Sequence, residues 1–216
     1  MKDPGRPART LPLLIAILGW LGLILQLIVS ARAATNAGRS PLAGILDALC
    51  YFTVLTNLLV AIVATSGLIG GRGFVAPRGV LAATAVYIFV VGLIYSLLLR
   101  SLWAPTGLHK LSDALLHDIV PLLYVIWWLC CAPKGGLRWA QTIGWLGYPL
   151  AYFAFSVLLG ALTGRYLYPF ADISALGVAT VLRNGVFLLA FFEGLALAAV
   201  GLDRILSGAQ RPPRIL

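Results

Sequence analysis

Six apolar runs, each long enough to cross a lipid bilayer, dominate this chain of 216 residues. A membrane-spanning helix needs about 20 mostly apolar residues. Hydrophobic residues make up 61% of the chain and charged residues 11%, and the mean hydropathy is +0.96, which a soluble domain could not bury. We therefore predict an all-α, polytopic membrane bundle in a single domain over residues 1–216, with six transmembrane helices at 11–31, 42–67, 79–99, 111–131, 142–162 and 174–202.

Basic residues predict the orientation of these helices. In the tails and loops, Lys and Arg number ten on the side that holds both termini and five on the other side, and Arg183 lies within a span. Because cytoplasmic segments are enriched in positive charge, we expect both termini in the cytoplasm. The net charge of +9 then reflects topology rather than nucleic-acid binding. The first run has full span length and lacks a cleavage site, which indicates a retained span.

The run at 111–131 carries ionisable residues close to its start, namely Asp113, His117 and Asp118. Such groups are costly in a membrane and usually face a polar interior, which makes them candidates for a functional site. Asp113 and His117 are four residues apart and share a helix face, whereas Asp118 points elsewhere. Pro121 removes a backbone donor and is expected to kink the helix beside His117. The plainer alternative is that these residues only lie in the wet interfacial layer.

Polar residues also occur in the runs at 42–67 and 174–202, which enter from the same outer face as the run at 111–131. Counted at a rise of 1.5 Å per residue, the expected depths are ~7 Å for Asp47, ~9 Å for His117, ~13 Å for Arg183, ~16 Å for Thr53 and ~22 Å for Asn57. Overlapping depths on three helices predict a polar pocket that is open to the outer side.

Two of these residues have simpler explanations. The Thr53 hydroxyl could bond a carbonyl of its own helix, as threonines in spans often do. Arg183 could form a structural ion pair, since an unpaired charge in a span costs ~3 kcal/mol or more. We expect its partner to be Asp47 or Asp113 first, and then Asp118.

Three segments add a family resemblance, and they occur in the order YFTVLTNLLV (51–60), LLHDIVP (115–121) and TGRYLYPF (163–170). Together they resemble the bacterial six-span Pr-six-Pr membrane proteins. More distantly, they resemble the eukaryotic androgen-induced-gene family. Members of that eukaryotic family are integral-membrane threonine hydrolases, which cleave fatty acid esters of hydroxy fatty acids with a threonine nucleophile and a histidine.

This resemblance implies that Thr53 is the nucleophile and that His117 is the base. Two departures from the family pattern are visible. One extra residue separates the threonine from the polar residue that follows it, Asn57, and one residue fewer separates His117 from Pro121. The first departure leaves Thr56 as a rival nucleophile, and both leave open whether the hydrolase activity is retained.

The implied chemistry is consistent with these residue types. A threonine hydroxyl needs a neighbouring base to take its proton, and imidazole is suited to that role near neutral pH. Asp113 could orient the ring, Asn57, Asn184 or Arg183 could stabilise an oxyanion, and Arg183 could instead hold a lipid carboxylate. The residues expected to support this dyad or to bind substrate are Asn57, Asp113, Asp118, Arg183, Asn184 and Asp47.

Two other functions remain open. A non-catalytic lipid-binding or structural protein would share the same pocket. A small-solute transporter would place its charged residues nearer the midplane, often with repeat symmetry, and no repeat is visible here. No cofactor or metal is expected, because the chain has only two histidines and no cluster of acidic, His or Cys residues. The expected partners are membrane lipids or a lipid-like substrate rather than nucleic acid, and the sequence sets no oligomeric state.

Overall fold

The computed structural model describes residues 7–69, 76–102 and 104–209, and these residues form helices without a strand. Within them, five helical segments are long and apolar enough to cross a membrane, and a bent pair of helices adds a sixth. The five are Thr10–Asn36, Arg78–Leu102, Gly107–Cys130, Gln141–Thr163 and Val178–Ser207, and the pair is Pro41–Leu49 with Phe52–Leu68. The all-α prediction is therefore confirmed, and the chain is an integral membrane protein.

The chain divides into two compact units, Met1–Ala132 and Pro133–Leu216. Each unit is described by itself below. The expectation of one domain over residues 1–216 stays a prediction.

The helices of the first unit are α1 (Pro7–Asn36), α2 (Pro41–Leu49), α3 (Phe52–Ile69), α4 (Arg78–Ile94), α5 (Gly107–Ala114) and α6 (Val120–Cys130). Helix α1 packs against α2, α3 and α5, while α4 packs against α3 and α6. The last turn of α4 is followed by a wide π-helical turn, Tyr95–Leu99, and a similar turn, Leu115–Ile119, joins α5 to α6. A small apolar core joins α1, α3 and this second turn through Leu23, Val54, Ala61 and Leu116.

The predicted helix at 42–67 is wrong as a continuous element, because α2 and α3 meet at an angle of 79°. Helix α2 begins with a Ser40 cap, whose hydroxyl oxygen accepts from the Ala43 amide at 3.2 Å. Gly44 then brings α2 against α1, since a Cβ there would lie 2.2 Å from the Ser30 carbonyl oxygen. Depths counted along one straight helix therefore do not hold for Asp47, Thr53 and Asn57.

The predicted disturbance beside Pro121 takes the form of the π-helical turn Leu115–Ile119. Proline has no N–H, so the His117 carbonyl cannot receive the usual bond from the residue four positions on. Helix α4 comes close at this point, because a Cβ on Gly92 would lie 3.0 Å from the His117 carbonyl oxygen. A proline and a facing glycine thus shape the segment that carries His117.

In the second unit, α10 packs against α7, α8 and α9. The buried Asp203 of α10 accepts hydrogen bonds from the amides of Gly136 and Leu137, both at 3.1 Å. These bonds attach the segment that precedes α7 to α10. The helices are α7 (Gln141–Trp145), α8 (Gly147–Thr163), α9 (Ile173–Leu176) and α10 (Val178–Ala209).

Two predicted boundaries in this unit are wrong. The helix predicted at 174–202 instead begins at Val178, because Gly177 has a φ of +75° and ends α9. At its other end α10 continues to Ala209, seven residues beyond the predicted end at residue 202.

The predicted orientation rests partly on residues outside the described ranges. These are Lys2, Arg6, Arg72, Arg211 and Arg214. The orientation stays a prediction.

Candidate functional site

Asp113 and His117 contact each other on one face of the helical segment, as their spacing predicted. His117 Nδ1 lies 3.1 Å from Asp113 Oδ1 and 3.1 Å from the Asp113 carbonyl oxygen. The Asp113 side chain is 9% exposed and the His117 side chain is 14% exposed. The Asp113 main-chain carbonyl therefore bonds Nδ1 of a mostly buried imidazole, and Oδ1 of the carboxylate lies beside Nδ1 without a hydrogen bond of its own among the described residues.

Tyr95 contacts both members of this pair. Its hydroxyl donates to Asp113 Oδ2 at 2.6 Å. Its ring stacks on the His117 imidazole with 3.7 Å between centroids and 16° between planes. Tyr95 is buried, so the pair is closed on this side by a rigid aromatic group.

An ion pair between Arg100 and Asp118 lies next to this cluster. The Arg100 guanidinium carbon lies 5.0 Å from the centroid of the Tyr95 ring, and Nη2 also bonds Ser96 Oγ at 3.2 Å. Arg100 and Asp118 side chains are 48% and 41% exposed, so polarity increases outward from buried Asp113. We call Tyr95, Arg100, Asp113, His117 and Asp118 the imidazole cluster.

Two π-helical turns carry Tyr95, His117 and Asp118 of the imidazole cluster. Tyr95 begins the turn that follows α4, and His117 lies in the turn between α5 and α6. A π-helical turn holds one residue more than an α-helical turn, which redirects the side chains around it, and such turns are frequent at functional sites. Because α4 packs against α6, the two turns bring a phenol and an imidazole face to face.

Asn57 links α3 to this region. Its Nδ2 donates to the carbonyl oxygens of Thr53, at 2.9 Å, and Leu116, at 3.0 Å. Both amide hydrogens are therefore used, and none remains for the expected oxyanion role. Its Oδ1 is buried without a partner among the described residues. Asn57 thus links the main-chain carbonyl of Thr53 to that of Leu116, the residue that precedes His117.

Among the described residues, the Thr53 hydroxyl donates no hydrogen bond, unlike other threonines of this chain. Thr65, Thr84 and Thr163 each donate to the carbonyl four residues earlier, at 2.7, 2.8 and 2.7 Å. Within the described ranges the Thr53 hydroxyl has no such bond, because residue 49, four positions earlier, belongs to α2 across the 79° bend. Thr56 is fully buried, whereas Thr53 is only half-buried.

The expected hydrogen bond between Thr53 and His117 is not formed in the described structure. Across the residues described, no hydrogen bond joins the Thr53 hydroxyl to the His117 ring. His117 Nδ1 contacts Asp113 instead, and Asn57 links only the main-chain carbonyl of Thr53, not its hydroxyl, to the Leu116 carbonyl.

The remaining candidate residues lie elsewhere. Asp47 pairs with Arg39 at 2.8 Å on α2. In the second unit, Asn184 Nδ2 donates to the Phe170 carbonyl at 2.9 Å. Arg183 is exposed and makes no ion pair within the described part of that unit. The substrate roles of these three residues stay predictions.

Tyr95 and Arg100 were not among the site residues predicted from the sequence. A usable signal was present, because the third span ends on the membrane side where the fourth begins. Residues in the last turns of one helix then lie level with residues in the first turns of the next. The segment YSLLLR (95–100) holds an aromatic hydroxyl and a cation at that level.

These features define an all-α integral membrane protein with a carboxylate, imidazole and phenol cluster in its first unit. No family model, curated protein or solved structure matches this chain. Within the described ranges, no group of three His, Cys, Asp or Glu residues is placed to hold a metal ion.

Proposed function

We propose that this protein is an integral-membrane hydrolase of lipid esters, with Thr53 as the nucleophile and His117 as the general base. The observation that carries the proposal is the contact of His117 Nδ1 with Asp113, at 3.1 Å from both the carboxylate and the carbonyl oxygen. This is the arrangement by which an acid orients a catalytic imidazole.

The proton positions follow from these neighbours. Both atoms that face Nδ1 are oxygen acceptors, so Nδ1 must carry the hydrogen in the neutral ring. Nε2 then holds the lone pair and is the basic nitrogen. When Nε2 takes a proton, the carboxylate of Asp113 stabilises the charged ring.

The reaction proceeds in two steps. The Thr53 oxygen attacks the ester carbonyl while His117 Nε2 takes the hydroxyl proton. The tetrahedral intermediate then expels the alkoxide, which takes that proton and leaves an acyl-Thr53 ester. In the second step, His117 removes a proton from water, the hydroxide attacks the acyl carbonyl, and Thr53 regains its proton as the acid leaves.

The Thr53 hydroxyl donates no hydrogen bond among the described residues, and this supports its role as the nucleophile. A hydroxyl already bonded to its own helix would have to break that bond before attack, as in Thr65 or Thr84. Thr53 and His117 must approach each other on substrate binding or act through one water molecule, since catalytic hydrogen bonds often tighten only in the complex.

The site's location suggests an apolar substrate. The imidazole cluster lies in membrane-length helices and becomes more exposed towards Arg100 and Asp118. A lipid could therefore enter with its chains in the bilayer and its ester near the polar edge. The family resemblance favours fatty acid esters of hydroxy fatty acids. We place the protein in the bacterial cytoplasmic membrane with both termini in the cytoplasm, where its partners are membrane lipids.

A lipid-binding protein without turnover is the second candidate. The observation that favours it is the missing hydrogen bond between Thr53 and His117 in the described structure. This candidate predicts lipid binding that is unaffected by loss of the Thr53 hydroxyl.

Ester turnover by purified protein in lipid nanodiscs separates these functions. We expect Thr53→Val to abolish hydrolysis of a fluorogenic fatty acid ester, because it keeps the side-chain shape and removes the nucleophile. Thr53→Ser should keep part of the activity, since it retains a hydroxyl. Thr56→Val is the matched control on the same helix and should remain active. Turnover that persists undiminished in Thr53→Val, or is absent from the wild type, would refute the proposal.

A further inference from the structure

We infer that Tyr95 is a positioning residue, which holds Asp113 and His117 in the geometry that leaves Nε2 as the basic nitrogen. The catalytic consequence of this inference rests on the proposed function, but the positioning itself does not. The inference comes from two separate contacts made by one buried side chain.

The first contact fixes the carboxylate. Tyr95 donates to Oδ2 of Asp113 at 2.6 Å, while His117 Nδ1 lies 3.1 Å from Oδ1. Oδ2 is thus held by the phenol hydroxyl, whereas Oδ1 lies in close polar contact with the imidazole and accepts no hydrogen bond among the described residues. Rotation of the group would lose at least one of these interactions, so the tyrosine hydroxyl keeps Oδ1 directed at the imidazole.

The second contact fixes the imidazole. The ring of Tyr95 covers one face of His117 at a centroid distance of 3.7 Å, with planes inclined by only 16°. A ring flip of His117 would have to break this stacking. It would also take Nδ1 away from both oxygens of Asp113 that face it.

The charged neighbours of Tyr95 are also defined. Arg100 lies 5.0 Å from the centroid of its ring and is paired with Asp118, while Asp113 accepts from its hydroxyl. The alternative role for Tyr95 is core filling, because its side chain is only 4% exposed. A core-filling residue would tolerate loss of the hydroxyl, whereas a positioning residue would not.

The chain contains only two histidines, His109 and His117, which makes a direct test practical. In a His109→Gln background, labelling histidine with ¹⁵N leaves His117 as the one reporter in nanodisc NMR spectra. We expect the neutral His117 ring of the wild type to show a single tautomer, with the proton on Nδ1. Tyr95→Phe keeps the stacked ring but removes the hydroxyl, and it should yield a mixture of Nδ1–H and Nε2–H tautomers.

Turnover provides the second measurement. Tyr95→Phe should lower kcat by about tenfold, a part of the ~10²–10⁴-fold that a general base supplies, with KM unchanged. Tyr87→Phe is the matched control, since Tyr87 is a buried tyrosine of α4. It should change neither the tautomer nor kcat.

Asp113→Asn tests the same hydrogen bond from its other side, so the inference does not depend on the folding of Tyr95→Phe alone. It preserves volume but replaces the acceptor of the Tyr95 hydroxyl with an amide, and it should also produce mixed tautomers. A single, unchanged Nδ1–H tautomer in Tyr95→Phe would overturn the inference, as would a wild-type ring protonated on Nε2. Absence of turnover in the wild type would refute the hydrolase proposal alone, because the tautomer spectra would still decide the role of Tyr95.

Discussion

Threonine hydroxyls in transmembrane helices usually donate to a carbonyl one turn earlier, and Thr65, Thr84 and Thr163 do so here. Thr53 lacks this bond among the described residues because the chain bends just before it. This difference could not be predicted from sequence, since the segment LCYFT (49–53) contains neither glycine nor proline to mark a break. The pairing of Asp113 with His117 could be predicted, because it depends only on helical spacing.

Asp172 provides a residue-scale prediction about pH. The hydrogen bond from the Ser174 hydroxyl, at 2.5 Å, lowers the pKa of the Asp172 carboxyl below its ordinary value, and the Ala175 amide adds to this effect. A depressed pKa means that the cap of α9 is fully formed above the unfolded pKa and is lost as pH falls through the lowered folded value.

We expect Ser174→Ala to raise the pKa of Asp172 towards its ordinary value, because the strongest donor to the carboxylate is removed. An NMR titration of ¹³C-labelled aspartate side chains measures the change. Ser207→Ala serves as the control, since Ser207 donates to the Arg204 carbonyl instead. An unchanged Asp172 titration in Ser174→Ala would contradict this explanation.

At the scale of helices, apolar runs predict where spans occur but not how they bend or which residues face one another. Gly44 and Ser30 set the packing of α2 on α1, and Gly92 lets α4 approach His117. These contacts join residues that are distant in the sequence. The order of the spans places Tyr95 and Arg100 level with His117, but only the packing of α4 against α6 brings the Tyr95 ring onto the imidazole.

Pro121 allows a test of the π-helical turn between α5 and α6. Pro121→Ala restores an N–H that can bond the His117 carbonyl, which favours a regular α-helix and rotates His117 away from Tyr95. We expect thermal stability to be unchanged or higher, because a proline inside a helix costs ~3 kcal/mol. Ester turnover should fall by about tenfold or more, since small displacements of catalytic groups are costly.

Pro149→Ala is the matched control for this substitution. Pro149 lies in the first turn of α8, where a helix has no internal partner for the backbone N–H. Turnover and thermal unfolding in nanodiscs should both remain close to wild type. If Pro121→Ala retains full activity, the π-helical turn is not needed to place His117.

At the scale of the whole molecule, composition and apolar runs were enough to predict an all-α membrane protein. This succeeds because the bilayer core holds no water to bond the backbone, so every backbone polar group must be hydrogen-bonded within the protein, which restricts the solutions to helices and closed barrels. The orientation depends on a ten-to-five bias of basic residues and is open to direct test.

Cysteine labelling in a background without Cys50, Cys130 and Cys131 tests the orientation. We expect an impermeant maleimide to label Ser40→Cys in intact spheroplasts, because the bias of basic residues predicts that the loop before α2 faces outward. Pro133→Cys, in the exposed segment after α6, should react only after the membrane is permeabilised. The reverse pattern of labelling would place both termini outside the cytoplasm.

The most direct test of the central claim is to map the residue that reacts with an ester-mimicking fluorophosphonate. Purified protein in nanodiscs is treated with the probe, digested and analysed by mass spectrometry, beside a His117→Ala variant. We predict a single labelled hydroxyl at Thr53 in the wild type, and loss of most of that label in His117→Ala because the nucleophile then lacks its base. Labelling at another residue, or labelling of Thr53 that is undiminished without His117, would contradict the proposed dyad.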